Sequence, residues 1–534
     1  MPRDFECDLA GLITGFHDKR PSPLLTDGYK FSMSQAGFPL RQESFVLSFR
    51  RSGSWVVPLD LAEIVYGMLP DVDSLTIKQR GFLDAFGYGL NPAMEAAMRG
   101  EVELDYLPAG TVFGPREPIL TITGPSFLVS WLEPLVIMLN HHIQLITSIL
   151  RGENSGIMHV RCQDEADIVA LCWDRAEQMK KGWPGRWTKM APRPERVAVI
   201  KSYSTPTAIG FPDSVFSELV EVLGTNEDEP GVQPEDRIFE VGLRAACCAQ
   251  HHDTVLQILK RSGLRSTSNV LGAWKHNLYP VGTTGHEHQQ RWGSDLAGFM
   301  AIRDMRPEIP SYLFDTWDPE SGIIQVDEAH RQMPDRQITV RLDSGDQRSQ
   351  LMNLVEDAER TGGAPPVYIL EDGYDVERTR EMEGLRRELG LPASRVWYGY
   401  GSYMVEDHVI CTRNEVSAAY KLSCTGGRST MKVSGSGGKQ SLPGRPVVFR
   451  RLRANPMKGP VDIIGQAGEP YPDGYEVLST VHGYEPEPHL APSDFFDPTR
   501  HADFEIVSMS LSSPSPIEMS EGTMGLVGRI AMDH

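Results

Sequence analysis

Between residues 238 and 402 six short apolar runs each end in a small or polar cluster: IFEVGLR (238–244), LYPVGTTGH (278–286), SYLFDTWD (311–318), ITVRLDSGD (338–346), VYILEDGYD (367–375) and VWYGYGS (396–402). Segments of helical character lie between them, among them 295–305, 347–360 and 376–389. Strand, polar cluster and helix in repetition is the pattern of parallel β/α units, whose strands are covered on both faces and so read as continuous apolar runs. Such units gather their strand ends on one side, and ligands bind there. The polar clusters are therefore the first place to seek chemistry.

The rest of the chain has a different grammar. Residues 20–150 mix strand-like segments (44–50, 110–113, 118–122) with helical ones (61–69, 77–86, 132–150), which predicts an α+β lobe. Residues 152–236 read as an elaboration, basic and Trp-bearing at 180–196 and rich in Gly, Pro and acid at 224–237. After residue 420 the segment YKLSCTGGRSTMKVSGSGGKQSLPGRPVVFRR suggests strands joined by Gly-rich turns, and the last 70 residues look loosely structured in places.

A chain of 534 residues exceeds one ordinary core, so two lobes are expected. Its formal charge of −20 argues against a nucleic-acid or anionic-membrane partner, so an anionic substrate must be held by local cations. Seven cysteines without a C-x-x-C read as reduced thiols in a cytoplasmic protein. Residues 1–20 carry Asp4, Glu6, Asp8 and Asp18 and no apolar h-region, so no secretory signal is expected there. The most apolar stretch, 127–150, is broken by Glu133, His141 and His142, which predicts a core helix and not a membrane span.

Several motifs have plain readings. SGSGGK (434–439) has Val433 where a phosphate loop needs its first glycine, and no Ser or Thr follows Lys439; a hairpin turn is the better reading. His286 and His288 stand at i and i+2, which diverge on a helix, and His251, His252 and Asp253 could be a ligand cluster, although a solvated helix face explains them at least as well. RLDSGD (341–346) is more telling, because Arg341 offers a guanidinium fork for phosphate and Asp343, with Ser344 and Gly345 behind it, a carboxylate for ribose hydroxyls or Mg²⁺. Arg244 and Asp315 recur at other strand ends, as do Asp372, Gly373, Gly399 and Gly401, where glycine lets backbone N–H groups approach a phosphate. Recurrence on successive strand ends points to one shared anionic, hydroxylated ligand.

In this order, LLTDGYKFSM (24–33), FVLSFRR (45–51), PAGTVFGPREPILTITGP (108–125), EVGLR, TSNVLGAWKHNLYPVGTTGHEH (267–288), LFDTWD, RLDSGD, DGYD, YGYGS and YKLSCTGGRSTMKVS resemble the nicotinate phosphoribosyltransferase family and its nicotinamide-using relatives. The resemblance implies an α/β type II phosphoribosyltransferase fold, an irregular α/β barrel beside an α/β lobe formed from N- and C-terminal segments. The expected division is 1–151 for the lobe, 152–236 for an insertion, 237–422 for the barrel and 423–534 for a segment that completes the lobe. It further implies a homodimer with shared active sites, in which Tyr29 of a neighbouring copy completes the base pocket. By position, His286 matches the histidine that ATP phosphorylates, Arg244 and Arg341 match base and phosphate contacts, and Asp315 and Asp343 match acidic residues around ribose and Mg²⁺. Gly285 and Ala245 stand where the family often has Ala and Arg.

The implied reaction joins nicotinate to phosphoribosyl pyrophosphate, with ATP as co-substrate and Mg²⁺ as cofactor. Ser268, with Asn269, suits an acid, because nicotinamide-using relatives carry an Asp at that position that would repel a carboxylate. The rival readings are a nicotinamide phosphoribosyltransferase and a non-catalytic ligand-binding paralogue on the same fold.

Overall fold

The structure is a computed structural model that describes residues 5–17, 19–58, 60–151, 158–160, 162–182, 199–201, 211–224, 229, 231–307, 310–333, 336–362, 366–406, 411–433, 440–451, 462–470, 473–478, 480–482 and 517–533. SGSGGK at 434–439 lies outside them, as does most of the stretch 180–236 before residue 211.

Seven parallel strands form one sheet in the order Tyr279–Pro280, Ser266–Thr267, Ile238–Glu240, Val396–Tyr400, Val367–Leu370, Thr339–Leu342, Ser311–Leu313. All six apolar runs are strands of it. The seventh, Ser266–Thr267, is only two residues long and leaves no periodic trace in the sequence. The three acidic clusters share a spacing that explains their form. In FDTWD, LDSGD and EDGYD the later aspartate is a helix N-cap: Asp318 accepts from Ser321 N–H, Asp346 from Ser349 N–H and Asp375 from Arg378 N–H. With the later carboxylate committed to the cap, the earlier one, Asp315, Asp343 or Asp372, is left at the strand end.

A six-stranded antiparallel sheet builds the other lobe, in the order Arg428–Ser429, Ala419–Thr425, Gln42–Ser48, Leu120–Pro125, Glu103–Tyr106, Thr480–His482. Ala419–Thr425 straddles the expected boundary at residue 422, so residues 419–422 lie in the lobe sheet and not in the barrel. Glu103–Tyr106 went unread because its sequence, ELDY, alternates too briefly to signal a strand. The helix Glu133–Arg151 is buried along nearly its whole length, and no helix among the described residues is long and apolar enough to cross a membrane. The predicted solvated face at His251 and His252 is overturned: both are fully buried, His252 Nε2 lying 3.0 Å from Glu240 Oε1.

The lobe and the barrel meet through a close backbone approach. A Cβ on Gly28 would sit 2.6 Å from the Val281 carbonyl oxygen, and one on Gly282 would sit 2.3 Å from Tyr29 N. Only glycine at both positions lets the helix Gly28–Gln35 start against the barrel rim. Gly28 N–H donates to the Ser268 carbonyl at 2.8 Å, and Asp27 forms a β-bridge with Asn269.

Candidate active site

A cavity of about 1000 Å³ opens at the carboxyl ends of the parallel strands and is roofed by the lobe. Two charged clusters face it. The first centres on Glu133, at the start of the long buried helix. Its carboxylate accepts from Tyr29 Oη at 3.0 Å and pairs with Lys30, with Lys421 Nζ at 3.2 Å and with Arg244 Nη1 at 3.6 Å. Burial alone would push this carboxyl up, but Lys30, Lys421 and Arg244 outweigh it and hold Glu133 well below the usual carboxylate range. Burial has the opposite result on Lys421, whose pKa falls to about 8 in spite of Glu133.

The second cluster centres on His286, the first residue of the helix His286–Trp292. Its Nδ1 lies 3.2 Å from Thr316 Oγ1, and its Nε2 lies 3.0 Å from Asp343 Oδ2 and 2.8 Å from Lys432 Nζ. Burial and then Lys432 lower the imidazole pKa against the pull of Asp315 and Asp343, so the ring is held towards its neutral form. At Nε2 a proton would be taken up by the carboxylate and a lone pair by the ammonium, so both tautomers have a partner. Arg341 lies beside this cluster, donating to Thr283 Oγ1 at 2.9 Å and the Thr284 carbonyl at 2.6 Å, with Asp343 at 3.3 Å and Glu371 at 3.6 Å. Burial opposes ionisation of Asp343 as well, yet Arg341 and His286 keep it well below its usual value.

Arg50 and Arg413 also line the cavity. Burial lowers both, Arg50 to about 10, and mutual repulsion with Arg244 adds to the shift. Crowded buried guanidinium groups are costly in an empty site and are relieved by an anion.

No family model matches the chain. A nicotinate phosphoribosyltransferase of Mycobacterium tuberculosis is 30% identical over 238 residues, 44% of this chain and 48% of that one. One from Chromohalobacter salexigens is 26% identical over 193 residues, 34% of this chain and 48% of that one. The chain thus spans about half the length of the curated relatives it matches. Among solved structures, the Vibrio cholerae nicotinate phosphoribosyltransferase superposes with a TM-score of 0.50 at 16% identity, over 78% of this chain and 89% of that one. Over part of its length the chain is similar to nicotinate phosphoribosyltransferases, and its fold is that of the Vibrio cholerae structure, a type II phosphoribosyltransferase fold.

Of the residues this relationship singles out, Tyr29, Arg244, Ser268, His286, Arg341, Asp343, Asp372, Gly373, Gly399 and Gly401 line the cavity. Four others do not. Asn269 caps the helix Val270–His276 by accepting from Gly272 N–H, and its amide nitrogen lies 3.0 Å from His252 Nδ1. Asp315 sits behind the wall, paired with Lys432 at 3.3 Å and accepting from Ser344, and Gly345 turns the chain there at φ +76°. Gly399 has a steric purpose, since a Cβ there would lie 2.6 Å from Glu371 Cγ and displace the partner of Arg341.

The chain's own Tyr29 occupies the wall, because the Gly28–Gly282 approach fixes it beside Gly285 and Glu133. Sequence reading missed Glu133 as a charge hub, together with Lys30, Lys421 and Lys432. An acid interrupting the most apolar segment of the chain was the available signal, since buried charge needs partners.

Proposed function

We propose that this cavity transfers the phosphoribosyl group of phosphoribosyl pyrophosphate to nicotinate, in NAD salvage in the cytosol. The observation that carries the reading is the division of one cavity between a cationic wall and a carboxylate–imidazole cluster, in a relative of enzymes that bear this name. Arg244, with Arg50, Arg413 and Lys421 on the same wall, neutralises the nicotinate carboxylate and the phosphates. The pyridine nitrogen forms the bond to ribose C1 as the C1–O bond breaks, and pyrophosphate leaves with the electron pair. Positive charge on the ribose ring then faces Asp343, and Arg341 opposes the charge on the leaving group.

The residues fit Mg²⁺: carboxylate oxygens of Asp315 and Asp343 and a His286 nitrogen lie within 4.8 Å of one another, and Asp315 Oδ1 is buried without a hydrogen-bond partner. Asp343 and Asp315 would hold the ion, which when bound supplies positive charge to the pyrophosphate. A neutral ring nitrogen of His286 takes the terminal phosphoryl group of ATP, forming N–P as the P–O bond to ADP breaks, and Lys432 stabilises the phosphate added. A homodimer with shared active sites, in which Tyr29 of a neighbouring copy completes the base pocket, remains part of the proposal.

The protonation state of one residue bears on nicotinamide as the alternative base. Ser268 Oγ donates to Asp27 Oδ1 at 2.7 Å, so a carboxyl group lies next to the position that tells the two bases apart, and burial raises its pKa. As an acid Asp27 tolerates a carboxylate, whereas as an anion it would repel one. Turnover of labelled nicotinate and labelled nicotinamide by purified protein, with phosphoribosyl pyrophosphate and with or without ATP, decides between them. Nicotinate mononucleotide and pyrophosphate are expected. His286→Ala is expected to abolish acid-labile labelling from ATP. Preference for nicotinamide, or turnover of neither base, overturns the proposal.

A further inference from the structure

Outside the cavity three buried side chains from three elements converge. His141 lies on the helix Glu133–Arg151, Glu165 in the first turn of the helix Gln163–Gly182, and Cys247 just ahead of the helix Ala249–Ser262. Their relative exposures are 4%, 3% and 2%, and one imidazole nitrogen, one carboxylate oxygen and the thiol sulfur lie within 4.8 Å of one another. We propose that His141, Glu165 and Cys247 bind a zinc-class divalent ion that ties the insertion to the two elements carrying Glu133 and Arg244.

Donor chemistry selects the ion. One thiolate, one imidazole and one carboxylate suit Zn²⁺, whereas Mg²⁺ and Ca²⁺ require oxygen ligands throughout. Charge selects it too, because a thiolate and a carboxylate together neutralise a dication in a place where unbalanced charge is costly. The orientation of His141 is already that of a ligand: its Nδ1 lies 3.3 Å from the Cys411 carbonyl oxygen, so Nδ1–H is donated there and Nε2 carries the lone pair. His251 Nδ1 lies 3.5 Å from Cys247 Sγ and accepts from Cys247 N–H at 3.3 Å, so it stands beside the site and is not one of its three ligands.

Location gives the ion a consequence. Cys247 follows Arg244 by three residues, and His141 stands two turns along the helix from Glu133, the partner of Arg244. Holding these two segments together fixes the guanidinium that faces the cavity.

The test uses the full chain, stripped with a chelator under reducing conditions and titrated with Co²⁺. About one ion per chain is expected at this site, giving a near-ultraviolet thiolate-to-cobalt charge-transfer band that Zn²⁺ abolishes. The cluster at His286 contains no sulfur and cannot give that band. Cys247→Ser is expected to remove it, and Glu165→Gln to weaken Co²⁺ affinity at least about tenfold, within the range measured where a metal's surroundings are altered. If Cys247→Ser does not fold, the wild-type band and its loss to Zn²⁺ are read instead. Absence of the band from folded wild-type protein overturns the proposal, as does a band unchanged in Cys247→Ser. A Cys162–Cys248 disulfide forming in preference to metal uptake also overturns it, since those sulfurs lie 3.7 Å apart and Cys248 Sγ lies 3.9 Å from Cys247 Sγ.

Discussion

Two glycines four residues or fewer from His286 have opposite requirements. Gly285 takes φ −119°, open to any residue, and a Cβ there would lie 3.4 Å from the Tyr29 ring and 3.6 Å from Met33 Sδ, ordinary contacts. Gly282 has no such room. Gly285→Ala is therefore expected to keep kcat/KM within about threefold of wild type, whereas Gly282→Ala displaces Tyr29 and costs at least about tenfold, roughly 1.4 kcal/mol. Steady-state kinetics on both variants checks this, and equal losses would refute the account of the rim. Arg341→Lys keeps the charge but cannot donate to Thr283 and Thr284 while also facing Asp343. KM for phosphoribosyl pyrophosphate should rise about tenfold or more, with little change for nicotinate; unchanged kinetics would make Arg341 structural only. At this scale the sequence showed the residues of the strand ends well, because Arg341 and Asp343 belong to one contiguous motif. It did not show that Ser268 bonds Asp27, a contact made between residues 241 positions apart.

The strand Ala419–Thr425 brings Lys421 into the cavity while pairing with Gln42–Ser48, so one element serves both the lobe's sheet and the cationic wall. Lys421 is charged below its pKa of about 8 and neutral above it. Affinity for phosphoribosyl pyrophosphate should therefore fall as pH rises through about 8, and Lys421→Gln should flatten that profile while weakening binding at lower pH. A wild-type profile flat from about pH 7 to 9 would contradict this. The stability effect has the opposite sign. The unfolded chain keeps this proton to about 10.5, so between about 8 and 10.5 it binds more protons than the native state, and stability from this group rises with pH. Urea denaturation of Lys421→Met should show the variant's advantage over wild type shrinking across that interval. Elements with strong periodicity were legible: six of the seven barrel strands, and the helices that follow their aspartate caps. Ser266–Thr267 and Glu103–Tyr106 were not, because strands so short are defined by their neighbours and not by their own pattern.

Across the whole molecule, the lobe and the barrel both build the cavity, since Tyr29, Glu133 and Lys421 from the lobe meet Arg244 and His286 from the barrel. On the proposal that a dimer shares its sites, mixing Tyr29→Ala with Arg244→Ala protomers should restore about one functional site per verified heterodimer, because one cavity then receives an intact copy of each residue. Failure to complement would favour a site built within one chain, by the Tyr29 that lies beside Glu133. Two sheets were legible from the change of grammar near residue 237, but their docking was not, because it depends on a glycine pair separated by nearly half of the chain. The pairing of Gln42–Ser48 with Ala419–Thr425 also gives the protein a history on the ribosome. Once residue 48 has been made, the apolar edge of that strand must wait for residue 419, on the order of tens of seconds at roughly 5–20 residues per second. Throughout that interval the nascent lobe presents an unpaired strand, the kind of edge that aggregates or recruits chaperones. Cellular yield should thus depend on translation speed and holdase supply, and chains stopped short of residue 419 should pellet even though the barrel strands have already been synthesised.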